Sequence, residues 1–134
     1  MKIKILIFVS VSIFMIAVIF SACSWTSGGG DAIIFPEHNI SFMHHVQPFL
    51  QQNCSYSPCH SGFNMAGGIV LLEYHNVIAV SGGGFIVSGN PDGSKFVQIL
   101  EERLPHFTYF YRGNIKDNQI KGIRTWIKEG AINN

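Results

Sequence analysis

The sequence predicts an all-α protein in which several short helices are joined by long loops. Four segments carry apolar residues at the spacing of three or four that places them on one helical face. These segments are residues 41–53, 71–80, 90–102 and 117–131. We find no convincing alternation of apolar and polar residues of the kind that a half-buried strand needs. Glycine-rich stretches such as 81–89 lie between the helical segments and favour loops.

The first predicted helix begins at Ser41 and runs to residue 53. Serine is a favoured N-cap residue because its hydroxyl can accept a hydrogen bond from a free backbone N–H. Pro48 lies inside the helical pattern and is expected to kink the helix or to move its start downstream, since proline has no N–H. The apolar face of this helix consists of Phe42, Val46, Phe49 and Leu50.

The segment 71–80 predicts a short helix, and the segment 90–102 predicts another. Asn90 is placed as the N-cap of the latter, with Pro91 at its first helical position. Its apolar stripe consists of Phe96, Val97 and Leu100.

The last segment, 117–131, gives the clearest helical pattern. Asp117 can cap its start and Gly130 stands where a helix commonly ends. One face is apolar and consists of Ile120, Ile123, Trp126 and Ile127.

Residues 1–22 have the layout of an export signal. Lys2 and Lys4 precede an apolar run that ends at Phe20, and small residues follow. Cys23 comes next, and the sequence FSACS resembles the lipobox of bacterial lipoproteins, in which the thiol carries a lipid. An uncleaved membrane anchor and an ordinary cleaved signal are the alternatives.

Residues 23–34 are predicted to form a flexible tether, and residues 35–134 one folded domain. Without Lys2 and Lys4 the chain has seven basic residues against its eight acidic ones, a formal charge near −1. Since no basic cluster is present, nucleic acid is not expected as a partner.

The segment QQNCSYSPCHSG, residues 51–62, contains Cys54, Cys59 and His60. Haem attached through thioethers needs two thiols along one porphyrin edge and an imidazole directly after the second. The order of these residues fits, although the usual C-x-x-C-H spacing is shorter by two residues. A disulfide between Cys54 and Cys59, a zinc site and a catalytic cysteine–histidine pair are the alternatives.

Large aromatic residues are frequent in a chain that is otherwise rich in loops. Short helices are marginal without tertiary packing. A large apolar cofactor at the centre would provide that packing, with the aromatic side chains in contact with it. The aromatic residues in question are Phe35, Phe42, Phe49, Phe63, Phe85, Phe96, Phe107, Phe110 and Trp126.

The sequences VQPFLQQNCSYSPCHSG, GGIVLLEYHNV, SGNPDGSKFVQIL and IRTWIKEGAINN together resemble a family of small bacterial cytochrome c domains. The resemblance covers about residues 40–134 and includes members with four residues between the cysteines. It implies one covalent haem c bound through Cys54 and Cys59, with His60 as the proximal iron ligand. It also implies that the last helix packs across the first.

The distal iron ligand departs from this pattern. The family commonly supplies a methionine before the last helix, whereas this chain has Phe107. His106 is the expected distal ligand, with Met65 as an alternative. A five-coordinate iron covered by Phe107 is a further alternative. For His38, His44 and His45 we expect partly exposed polar side chains, although His44, His45 or His75 remains a less favoured ligand.

The resemblance implies an electron carrier rather than an enzyme. It is expected in the bacterial cell envelope, held to a membrane by lipid on Cys23, with redox proteins as partners. Two other functions stay open at this point. One is a haem-based sensor or binding protein for a gas or small ligand, and the other is a haem-free lipoprotein with a disulfide.

Overall fold

Short helices make up the regular structure of the protein. A computed structural model describes residues 33–56, 58–80, 83–106 and 115–134. The elements are a π-helix Phe42–Val46, α1 Gln47–Asn53, a 3-10 helix Ala66–Gly68, α2 Tyr74–Ile78, α3 Lys95–Leu100 and α4 Asp117–Lys128. These ranges contain no strand, so the all-α prediction is confirmed for them. None of their helices has both the length and the apolar character needed to cross a membrane.

The first helix begins where the sequence predicts but changes type along its length. The hydroxyl of Ser41 accepts a hydrogen bond from the N–H of His44 at 3.2 Å and caps the π-helix. The N–H of Gln47 then donates to the carbonyl of Phe42, and α1 follows with Pro48 in its first turn. A first-turn N–H has no partner within the helix, so proline is tolerated there. The result is a wide turn before Pro48 rather than a break.

The predicted start of the third helix is wrong. Asn90 caps a turn instead, and its side-chain oxygen accepts from the N–H of Gly93 at 2.9 Å. The helix α3 begins only at Lys95, after Ser94. Ser94 is fully buried, and its hydroxyl accepts from the N–H of Val87 at 2.8 Å and donates to the carbonyl of Asn90 at 2.9 Å.

The predicted apolar faces of the first and last helices are both buried. The rings of Phe42 and Trp126 lie 5.8 Å apart between centroids, so α4 packs against the π-helix. Burying large side chains of this kind supplies most of the favourable free energy of folding. The largest fully buried apolar side chains are Trp126, Phe49, Ile40, Leu50, Ile123, Ile127, Val46, Val77 and Val97.

Residues after α4 hold the segment before and within the π-helix. The carboxylate of Glu129 accepts from the N–H groups of Asn39 at 2.7 Å and Ile40 at 2.9 Å. The backbone carbonyl of Asn134 accepts from the N–H of Met43 at 3.1 Å. Glu129, at the end of the last helix, therefore also stabilises the start of the first one. Its carboxylate satisfies backbone N–H donors that have no helical partner.

Gly122 lies where α4 meets the ring of Phe35. The ring of Phe35 lies directly against its Cα and is buried. A Cβ atom at this position would overlap with Cγ, Cδ1 and Cβ of Phe35. Glycine is therefore required here by space, although it is a poor helix former.

The predicted export signal 1–22, the lipid-bearing Cys23 and the tether as far as residue 32 lie outside the described residues. These assignments stay predictions.

Candidate functional site

Cys54 and Cys59 are brought together by the turn that follows α1. The N–H of Cys59 donates to the carbonyl of Tyr56 at 2.7 Å, and the N–H of His60 donates to the carbonyl of Cys54 at 2.9 Å. Pro58, between the cysteines, is exposed. The longer spacing is thus taken up by a closed turn, which returns His60 to the first cysteine. Both thiols are free, with Cys54 buried and Cys59 half-buried.

Burial controls the chemistry of the Cys54 thiol. Desolvation, together with the neighbouring Cys59, raises the pKa of Cys54 to about 12. The group is therefore a neutral thiol at neutral pH, whereas nucleophilic attack and metal binding by cysteine require the thiolate. This environment argues against Cys54 as the nucleophile of a catalytic pair.

In the haem-free, reduced chain, we expect iodoacetamide to label Cys59 well before Cys54 at neutral pH. Cys54 is both less accessible and held as the thiol, and alkylation requires an accessible thiolate. Mass spectrometry of chymotryptic peptides, cut at Tyr56 between the two cysteines, measures the two rates at successive times. Unfolded protein provides the control in which the rates converge. Equal rates in the folded chain would contradict this expectation.

His60 is oriented by a backbone carbonyl. Its Nδ1 atom lies 3.2 Å from the carbonyl oxygen of Ile69. A carbonyl can only accept, so this hydrogen bond requires the proton on Nδ1 and leaves the lone pair on Nε2. Histidine ligands of metals commonly have their second nitrogen fixed in this way. The N–H of Leu71 also donates to the carbonyl of His60 at 3.1 Å.

His106 lies against His60. Their ring centroids are 5.9 Å apart and the planes are inclined by 26°. Burial and the proximity of His60 lower the pKa of His106, which favours the neutral form that metal ligands need.

The other candidate ligands differ in their surroundings. Met65 is 49% exposed and lies in the loop after the cysteines. The Nδ1 atom of His45 accepts from the N–H of Ser41 at 3.0 Å, a structural role at the start of the helix. His38 and His44 are exposed, as predicted, and His75 is exposed too. Phe107 lies outside the described residues.

Two residues of the site were not identified from the sequence. Ile69 contributes its carbonyl to His60, and every residue type has a carbonyl, so no sequence signal exists for this role. The buried hydroxyl of Ser55 donates to the carbonyl of Leu71 at 2.7 Å. Serine in a turn is too common to indicate such a contact by itself.

The donor set fits a metal whose remaining ligands come from a cofactor. Among the described residues, no group of three or more histidine, cysteine, aspartate or glutamate side chains is arranged to hold a metal ion. A zinc site, which needs four protein ligands when structural, has no support in these ranges. Two neighbouring imidazoles and two thiols are residue types that a covalently attached haem would use.

A separate cavity of about 500 Å³ lies beside α4. It is lined by residues near both ends of the helix, including Asn118, Lys121 and Lys128, and by Phe35. None of the cysteine or histidine residues discussed above lines it.

No protein-family model, curated protein or solved structure matches the chain.

Proposed function

We propose that this chain is an exported c-type cytochrome with one haem, which transfers electrons between redox proteins of the bacterial cell envelope. The observation that carries the proposal is the proximity of the His60 and His106 rings, 5.9 Å apart between centroids, where His60 directly follows Cys59. The hydrogen-bond distance from Nδ1 of His60 to Ile69 supports the proposal further, since it leaves Nε2 available as a ligand.

Each site residue has a distinct role in this proposal. Cys54 and Cys59 hold haem c through thioethers, His60 is the proximal iron ligand and His106 the distal one. When bound, the haem supplies an iron that exchanges one electron between its ferric and ferrous states. The chain sets the ease of that exchange through the ligands, through the hydrogen bond to Ile69 and through burial of the site.

A cytochrome c-like arrangement of the helices belongs to the same proposal. The packing of α4 against the first helix, through Trp126 and Phe42, supports it. A lipid on Cys23 would keep the domain at a membrane, where two or more acyl chains give stable anchoring. The formal charge near −1 of the chain without residues 1–22 favours little electrostatic steering of its redox partners.

The direct test is expression of the full chain in a bacterium that carries a haem-attachment system. We expect haem to stay with the polypeptide on a denaturing gel and the purified protein to have a low-spin absorption spectrum. Replacement of both Cys54 and Cys59 by alanine is expected to abolish the covalent attachment. Colourless wild-type protein, with a Cys54–Cys59 disulfide detected by mass spectrometry, would overturn the proposal in favour of a haem-free lipoprotein.

A further inference from the structure

We propose that Ser55 is a positioning residue for His60. It acts by holding the backbone segment 69–72, which supplies the carbonyl that orients the imidazole. The inference deepens the proposed function, on which it rests for its effect on haem iron. The link between Ser55 and His60 can also be measured in the haem-free chain.

Two side chains from the first helix and its following turn hold this segment. The Ser55 hydroxyl donates to the carbonyl of Leu71 at 2.7 Å in a buried setting. The side-chain amide of Gln47, on α1, donates to the carbonyl of Leu72 at 2.9 Å. A buried carbonyl that loses its donor is left unsatisfied, so removal of the Ser55 hydroxyl favours displacement of the segment.

Leu71, whose carbonyl accepts from Ser55, lies two residues after Ile69, whose carbonyl faces His60. The N–H of Ile69 donates to the carbonyl of Ala66 at 3.2 Å, a longer distance than that of the Ser55 hydrogen bond. Ile69 has an extended backbone, with φ −107° and ψ 132°, so a shift at Leu71 is transmitted along the chain to the Ile69 carbonyl. The distance from this carbonyl to Nδ1 of His60 is already 3.2 Å, near the upper limit for a hydrogen bond.

This role gives the longer cysteine spacing a physical function. Ser55 is one of the four residues between Cys54 and Cys59. The turn that separates the thiols therefore also carries the group that fixes the acceptor of His60. Cofactor attachment and ligand orientation are combined in one short segment.

The first experiment measures the ring tautomer of His60 in the haem-free chain. Long-range nitrogen–proton NMR is applied to wild type, Ser55→Ala and Ser55→Thr at one common pH. We expect wild type and Ser55→Thr to hold the proton on Nδ1, and Ser55→Ala to populate both tautomers. Ser94→Ala is the matched control, because Ser94 is also buried and donates to a carbonyl. An unchanged tautomer in Ser55→Ala, or an equal change in Ser94→Ala, would overturn the inference.

The second experiment measures the midpoint potential of the haem-loaded variants. A weaker hydrogen bond to Nδ1 makes the imidazole a poorer donor to ferric iron, so Ser55→Ala is expected to raise the potential, and Ser55→Thr to restore it. Gln47→Leu, which removes the neighbouring bond, is expected to raise it by less and provides the test if Ser55→Ala does not fold. Equal potentials in all variants would contradict the positioning role. Failure of wild type to attach haem would instead contradict the proposed function and leave the tautomer result standing.

Discussion

Replacement of His106 by alanine is expected to convert a haem-loaded protein that excludes carbon monoxide into one that binds it rapidly when reduced. If His60 and His106 both hold the iron, as proposed, they would leave no open position for a diffusing ligand. Removal of the His106 imidazole opens one. The measurement is the change in the Soret band on adding carbon monoxide to the reduced protein, followed by stopped-flow absorption.

Two matched variants make this result specific. His75→Ala removes an exposed histidine and is expected to leave carbon monoxide excluded. Met65→Leu tests the alternative ligand and is expected to have the same outcome. If Met65→Leu opens the site and His106→Ala does not, then Met65 is the distal ligand. Rapid binding by wild type would favour a sensor or binding protein for small ligands over an electron carrier.

Replacement of Gly122 by alanine is expected to lower the free energy of unfolding by roughly 2–4 kcal/mol, from lost burial of Phe35 and overpacking. The new methyl group would overlap with the near end of the Phe35 ring, which cannot avoid it by moving its tip alone. Either the ring leaves the core or α4 moves away from it. Urea unfolding followed by tryptophan fluorescence measures the change, since Trp126 is fully buried.

A double-mutant cycle with Phe35→Ala identifies the cause. In the Phe35→Ala background the space beside Gly122 is open, and alanine is the better helix former by about 1 kcal/mol. We therefore expect Gly122→Ala to be neutral or stabilising there. The same loss of stability in both backgrounds would mean that contact with the ring is not responsible.

Helical periodicity predicted the core of the fold well. The faces that contain Phe42 and Trp126 were identified from spacing alone, and both are buried. Periodicity works here because each helix has one side against the core, so the apolar residues must recur about every 3.6 positions.

The start of α3 could not be predicted in the same way. Asparagine, proline and aspartate favour both the first turn of a helix and an isolated turn. The choice between the two depends on Ser94, whose burial draws the backbone of residues 90–94 into a turn. Burial of that kind is a tertiary property, and the local sequence does not carry it.

The side chains of the candidate site could be proposed from the sequence, whereas the backbone groups that contact them could not. Cys54, Cys59 and His60 are recognisable because their chemistry is rare and their order is specific. His106 was expected from its place before the last helix, and the structure places it against His60. The Ile69 carbonyl and its support by Ser55 depend on how the loop folds back over α1, which no residue pattern indicates.

The contacts of Glu129 and Asn134 with residues 39–43 join parts of the chain about ninety positions apart. During synthesis the amino-terminal residues appear first. The start of the first helix therefore stays without these partners until residues 129–134 have been added. We expect residues 39–43 to take up their final conformation only after this interval, once the residues that follow α4 supply these hydrogen bonds.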